Sequence, residues 1–448
     1  MRDKTYDVIV VGAGAGGVCA AVSGARTGAR TTLVEKKPEI GGTGVHSPVS
    51  LICTFHARDH RPINMGLHQE LFPHAYAQST MDKRPSAKWL TYDEKVLKNR
   101  YRELVAAESL LDLYTGSGVS EVETEGRLIR GITLENGARM RAGFYVDSTA
   151  DGNLAAFAGC GFDKGREADG AMQSATLTFT VGNIDTGKLG YPDFVTKKYC
   201  KALWADLTRL LRDAQAGGLT GNPKSGVVMF PYPDGQRLLF NSNEIIDVDP
   251  TVPGSVEKAY ETGRKYVDEM MPIIRQHPAF RNAELEYVAP SLGIREGRRI
   301  HGDYTLTEKD CLGEARFDDM VTACAYAIDI HDPSGKTTRM VGIPNSGYYH
   351  IPYRSLVARD MDNLLIGSRC ISGTHEAHSS YRVISCVTGI GQAAGTAAAM
   401  AAHDGHRNVR DVQMAELRYV LRVHHAQYVE GSTERPPSLD AMLPDPLA

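Results

Sequence analysis

The chain has 448 residues, with 54 acidic against 50 basic side chains and a formal net charge of -4. Hydrophobic residues make up 42% and charged residues 23%, which suits a globular protein with room for two or three domain-sized units. An acidic balance without a Lys/Arg block argues against a nucleic-acid surface, and no run approaches the roughly 18 apolar residues of a membrane span. The 8 cysteines are scattered without C-x-x-C spacing, as reduced thiols are, and the N-terminus lacks the long apolar core of a secretory signal. A cytoplasmic protein without membrane or nucleic-acid partners is therefore expected.

In chain order, Tyr6–Val11 reads as a β-strand, Val18–Thr27 as an Ala-rich helix and Thr31–Glu35 as a second strand, which together make a βαβ start. Tyr92–Glu108 has the pattern of an amphipathic helix. From Leu111 to Asp147 short strands follow, with Asn136-Gly137 as a hairpin turn. Residues 165–350 mix strands ("SATLTFTVG", "GVVMFPY", "RLLFNS") with one helix near Ser255–Gln276. A strand "NLLIGS", a small-residue helix over Gly389–Ala402 and a Pro-rich tail close the chain. This gives an α/β protein. A Rossmann-like domain with a β-meander is expected from 1–160 and 350–415, an inserted α+β substrate domain over 161–349, and a C-terminal helix and tail over 416–448.

Between the first strand and helix lies "GAGAGG", with Gly12, Gly14 and Gly17 in the G-x-G-x-x-G places and Glu35 about 20 residues on. Gly12 permits the tight turn, Gly14 lets backbone approach a pyrophosphate, and Gly17 lets the helix pack close to the strand. The helix N-terminus offers free N–H groups and a positive dipole end to phosphates. Glu35 suits the hydroxyls of an adenosine ribose. The fingerprint alone leaves NAD and FAD open.

Three further features narrow this: Gly41-Gly42 after the second strand, the turn "DSTADG" at 147–152, and "NLLIGSRCISGTHEAHSSYRVISCVTGIGQAAGTAAAMA". With these segments the chain resembles FAD-dependent oxidoreductases of the glutathione-reductase-like superfamily. More narrowly, it resembles a bacterial family with "THEAHSS-x-R" before a G-x-G-Q-A-A-G helix. Matching blocks at 165–182 and 293–310 extend the resemblance almost end to end.

The resemblance implies that FAD is held by Gly12, Gly14, Gly17 and Glu35 at its ADP half. It places Gly41, Gly42 and Thr43 beside the pyrophosphate and flavin, and Val119 at the adenine. Thr149, Asp151 and Gly152 form the second turn, Gly367 and Arg369 meet the ribityl region, and Arg382 lies near the flavin. The helix from Gly389, including Gly391, is expected to aim its N-terminus at the flavin. One departure is Gly367-Ser368, where many relatives in the wider superfamily carry Gly-Asp.

Hydride transfer to flavin N5 also needs a base for the departing proton. His375 and His378 are candidates because imidazole titrates near neutrality, and His46 is a third, flavin-side candidate. Arg295, Glu296, Arg298 and Arg299 ("REGRR") read as a salt-bridge network or an anion site. His46, His56, His60, His68 and His74 cluster in one region, yet show no convincing metal-ligand spacing, so no metal is expected. The expected function is an FAD-dependent dehydrogenase or oxidase acting on a small polar molecule, with C–OH or C–N oxidation favoured. The alternative is a reductase, desaturase or electron-transfer subunit working with a protein partner. A monooxygenase stays open, and so do the electron acceptor and self-association.

Overall fold

The computed structural model describes residues 4–59, 61–73, 89–189 and 197–424. His60, His74 and the tail 425–448 lie outside them.

The first strand, β1 (Lys4–Val11), is buried from Val8 onward, as a central parallel strand must be. Helix α1 (Ala15–Arg26) follows, then β2 (Thr31–Glu35), helix α2 (Glu94–Ala106) and β3 (Leu111–Thr115). Asp93 starts α2 by accepting a hydrogen bond from the Lys95 N–H. The hairpin β4 (Val119–Glu125) and β5 (Leu128–Leu134) leads into the long strand β6 (Arg139–Asp147). Gly137, at φ 81°, makes the turn between β5 and β6 that its Asn-Gly dipeptide signals. β3, β2, β1 and β6 pair in parallel in that order, while β5 and β4 continue the sheet in antiparallel sense.

The inserted region holds a four-stranded antiparallel sheet of β7 (Phe179–Gly182), β8 (Met229–Pro231), β9 (Leu238–Phe240) and β10 (Glu284–Val288), in the order β8-β9-β7-β10. Helices α3 (Lys197–Ala216) and α4 (Ser255–Ile274) pack on it, and Phe179 stacks on Phe240 within the core. The sequence reading marked only α4. Helix α3 buries Leu203, Leu207, Leu211 and Ala214, a helical period that it had passed over.

This second core draws its buried residues from Ala175 to Leu292. Residues 300–349 were expected with it. Instead Leu306, Cys311, Val321, Cys324, Ile328 and Tyr349 pack into the first core, because their short strands and turns lie against the C-terminal helices. The inserted body is thus smaller than the 161–349 expected.

The last strand of the main sheet, β11 (Leu364–Ile366), pairs in parallel with β6 and completes seven strands. Helix α5 (His375–Tyr381) turns by 93° into α6 (Ile384–His403), and α7 (Met414–Val423) packs against α6. Among the described residues, no single helix is long and apolar enough to cross a membrane. Helix α6 is buried from Ser385 to Ala401 and lies directly on α1. It starts at Ile384, five residues before the expected Gly389, so Gly389 and Gly391 sit inside the helix and not at its N-terminus.

Candidate cofactor cleft and active site

In an open parallel sheet, ligands bind beyond the carboxyl ends of the strands where the strand order reverses. Here the reversal is at β1, and the loops after β1, β2, β6 and β11 are stitched together at that edge. Gly12 N–H donates to Val34 O (2.7 Å), Ser148 N–H to Val11 O (2.8 Å), Gly367 N–H to Asp147 O (2.8 Å) and Gly41 N–H to Ala13 O (2.8 Å).

Glycine is required at these crossings. A Cβ on Gly12 would lie 2.7 Å from the Ser148 backbone, and one on Gly17 would lie 1.7 Å from Gly12 O. Gly14 is different: its Cβ would meet only Gly42 Cα, at 3.6 Å, leaving the turn open on its outer side. Gly42, at φ 53°, passes backbone to backbone beside it. The first turn of α1 carries no acidic residue. Glu35 stands at the end of β2 beside this turn: one carboxylate oxygen accepts from Ala13 N–H (2.7 Å) and the other from Lys37 N–H (2.9 Å). Each oxygen keeps a lone pair for a further donor. The Gly116 and Ser117 N–H groups, just before Val119, bond the Lys37 and Glu35 carbonyls, so Val119 lies next to this end.

The second turn is held from inside by Asp147, which is fully buried and accepts from Thr149 N–H, Thr149 Oγ1 and Ala155 N–H. The Thr149 hydroxyl also accepts from Asn153 N–H. Burial pushes the Asp147 carboxyl up to about 6, against the pull of those hydrogen bonds. Its folded pKa therefore lies above the unfolded value, the folded state holds the proton more tightly, and this stability is fully present below about pH 4. Wild type minus Asp147→Asn stability, from urea unfolding, should fall by about 3 kcal/mol between about pH 4 and pH 6. A flat difference across that window would disprove it. Gly152 (φ 63°) and Asp151 complete the turn, and the Asp151 carboxylate pairs with Arg369 at 3.0 Å.

Beyond this turn lies a buried ionic network that joins the two cores. Glu244 takes Lys224 (2.5 Å), Arg295 (2.9 Å) and His331 Nδ1 (2.9 Å). Burial works against its ionised form, yet Arg295, His331 and Lys224 hold it below the usual carboxylate range. His331 Nε2 lies 3.6 Å from Asp329, which also meets the Tyr326 hydroxyl (2.9 Å) and Arg382 (3.6 Å). Glu296, with no exposed side-chain surface, accepts from Arg299 and from His375 Nδ1 (2.9 Å) through the same oxygen, and from Gln173 N–H through the other. Both His375 and Glu296 come from segments singled out in the sequence, and the fold brings them together. His378 is wholly buried and neither ring nitrogen has a partner. Burial, reinforced by Arg299, Arg369 and Arg382, holds it far below the ordinary imidazole range and therefore neutral.

Two expected site residues sit elsewhere. The His46 ring nitrogen lies 3.1 Å from Glu39 O, and its electrostatic neighbours are Lys37, Glu35 and Glu39 at and after the end of β2. The fold does not bring it together with His375 and His378, because the one-turn helix Gly42–His46 points the ring back toward β2. Gly391 lies against α1, where a Cβ would come 2.0 Å from Gly16 O, so the close helix packing requires glycine there. Thr43 is exposed beside Gly42, and Gly367 donates its N–H to Asp147 O next to Gly16. Arg382 is engaged with Asp329. The sequence reading missed Gln173, Lys224, Glu244, Asp329 and His331. Among the described residues, no three His, Cys, Asp or Glu side chains gather as metal ligands.

The sheet and its glycine turn define a Rossmann-like dinucleotide-binding fold that carries an inserted α+β body. A model of the FAD dependent oxidoreductase family matches residues 7–421, and the chain belongs to that family. FAD is its cofactor. Among solved structures, the chain is similar to a geranylgeranyl bacteriochlorophyll reductase-like protein from Thermoplasma acidophilum (14% identity, TM-score 0.46, covering 94% of this chain and 84% of that one). It is also similar to p-nitrophenol 4-monooxygenase from Pseudomonas putida DLL-E4 (11%, 0.46, 98% and 92%) and to GidA from Aquifex aeolicus (13%, 0.44, 90% and 64%).

The residues present fit FAD. The open side of Gly14 and the acid-free start of α1 suit a pyrophosphate, and the spare lone pairs of Glu35 suit ribose hydroxyls.

Proposed function

We propose that the chain is an FAD-dependent dehydrogenase or oxidase of the glutathione-reductase-like superfamily, oxidising a C–OH or C–N carbon of a small polar substrate. The observation that carries this reading is the buried Glu296–His375 pair at 2.9 Å. A carboxylate on Nδ1 fixes the ring and its tautomer and leaves Nε2 as the proton acceptor. FAD, when bound, supplies the acceptor for the hydride. As the substrate C–H bond breaks, His375 Nε2 takes the hydroxyl or amine proton, and the carbon becomes C=O or C=N. Glu296, kept company by Arg299, stabilises the imidazolium so formed.

The inserted body also meets the FAD domain away from this pair: its Tyr232 hydroxyl donates to Glu94 at 2.9 Å, and Phe230, Tyr232 and Leu239 pack on Val49 and Leu51. Anaerobic mixing of the yellow holoenzyme with polyols, sugars, amines and hydroxy acids tests the reading. One class should bleach the oxidised-flavin band, and re-oxidation by air then separates an oxidase from a dehydrogenase. If no class bleaches the flavin, the reading is wrong.

A further inference from the structure

The buried network carries an excess of positive charge. Lys224, Arg295, Arg299, Arg369 and Arg382 are paired with only four carboxylates, Asp151, Glu244, Glu296 and Asp329. A surplus cation inside a protein is costly unless an anion accompanies it.

A second, independent observation concerns hydrogen bonds. The Nε of Arg369, the Nε of Arg382 and the Nε2 of Gln173 are buried without partners, as are both nitrogens of His378. The first three are donors only, so what would satisfy them is a set of acceptor oxygens. They also converge. Arg369 and Arg382 both act electrostatically on His378, and Arg369 acts on Arg382.

Gln173 and Arg382 belong to the network that holds His375, and Arg369 reaches it from the second turn, where it pairs with Asp151. Gln173 Oε1 accepts from His331 N–H (3.1 Å), Gln173 N–H reaches Glu296, and Arg382 Nη2 donates to Asp329 O (3.0 Å). The open glycine turn that suits pyrophosphate is instead built from Gly12–Gly14 and Gly42.

We propose that this buried set of donors is a carboxylate-binding site, and that the substrate is a small anionic hydroxy or amino acid. Its carboxylate meets the free edges of Arg369 and Arg382, with Gln173 and one His378 nitrogen completing its hydrogen bonds. The assignment of this ligand as the substrate rests on the oxidation proposed above; the anion site does not.

The test uses the holoenzyme and a matched pair of inert probes, malonate and its diamide, by calorimetry and by perturbation of the flavin spectrum. Malonate should bind about tenfold tighter or more. Arg382→Leu should erase that preference in the FAD-loaded protein that folds, with a lower melting temperature because Asp329 loses its arginine, and Arg382→Lys should restore part of both. Equal binding of acid and amide by wild-type holoenzyme would overturn the proposal, since the donors would then be satisfied by FAD itself. Inorganic phosphate binding as tightly as malonate would overturn the carboxylate class. Because malonate is not a hydride donor, preferential binding stands even if no compound bleaches the flavin, which would sink the reaction and spare the site.

Discussion

His375→Ala should slow substrate-driven reduction of the flavin by about 10²–10⁴-fold, with FAD content unchanged. The size follows from losing a positioned proton acceptor, and the geometry makes His375 the better of the two candidate histidines. His375 has the Glu296 carboxyl group on Nδ1 at 2.9 Å, which orients the ring and leaves Nε2 to face the substrate. His378 has no acid on either nitrogen and three arginines acting on it, so a proton there is opposed by burial and by charge. His378→Ala should therefore weaken substrate binding more than it slows reduction. Glu296→Gln should act through His375, as a positioning change: the base-dependent limb of the rate against pH should shift, and added imidazole should partly rescue His375→Ala but not Glu296→Gln. Stopped-flow reduction at several pH values reads all of these. Full-speed reduction in FAD-replete His375→Ala would remove it as the base, and a collapse in His378→Ala alone would exchange the two roles.

The cofactor half of this protein was legible because its signals are local. Gly12, Gly14 and Gly17 lie within six residues of each other, between a β-branched strand and an Ala-rich helix, and the structure puts Gly12 and Gly17 at close backbone crossings and leaves Gly14 open. The substrate half was only partly legible. "REGRR" and "THEAHSS" announced polar chemistry, and the fold joins them through Glu296 and His375, 79 residues apart. The other members of the network come from four further segments, and nothing in a charge's own neighbourhood says which distant charge will pair with it. A trace of a signal existed: Asp329 stands in "YAIDIHD" and Glu244 in "FNSNEIID", acids set among strand-type apolar residues. Helix α6 was placed five residues late for a physical reason. Val383 caps it without a side-chain hydrogen bond, and Ile384, Val387 and Thr388 have the β-branched character of a strand. The direction of the His46 ring was not legible, because a position shortly after Gly42 in the sequence says nothing about it.

The glycines of α6 carry the largest stability effect. Gly395→Val should leave little folded, FAD-loaded protein, and even Gly395→Ala should lower stability markedly. In an exposed helix, Gly→Ala gains about 1 kcal/mol from propensity. Here a Cβ would stand 1.9 Å from Ala20 O and 2.6 Å from Ser23 Oγ, on the facing helix α1. One turn earlier, a Cβ on Gly391 would stand 2.0 Å from Gly16 O, and Gly16 itself would meet Gly367 O at 2.1 Å. Two helices thus touch backbone to backbone over two turns. Ser23 Oγ clips the contact by donating to Gln392 O at 2.9 Å. Neither carbonyl can rotate away as a side chain does, so a new methyl must push α1 off α6. Ordinary overpacking costs about 1–3 kcal/mol, and an unyielding backbone on both sides places this case at the upper end or beyond. A domain stable by about 5–15 kcal/mol tolerates the alanine better than the valine. The displacement also reaches the cofactor, because α1 begins at the glycine turn that Gly16 pins against Gly367. Gly395→Ala should therefore lose FAD affinity as well as melting temperature. Gly389→Ala is the comparison: its Cβ meets the Thr322 side chain and no backbone, so its loss should be smaller. Equal melting temperatures and FAD contents for wild type and Gly395→Ala would show that the two helices do not meet in this way.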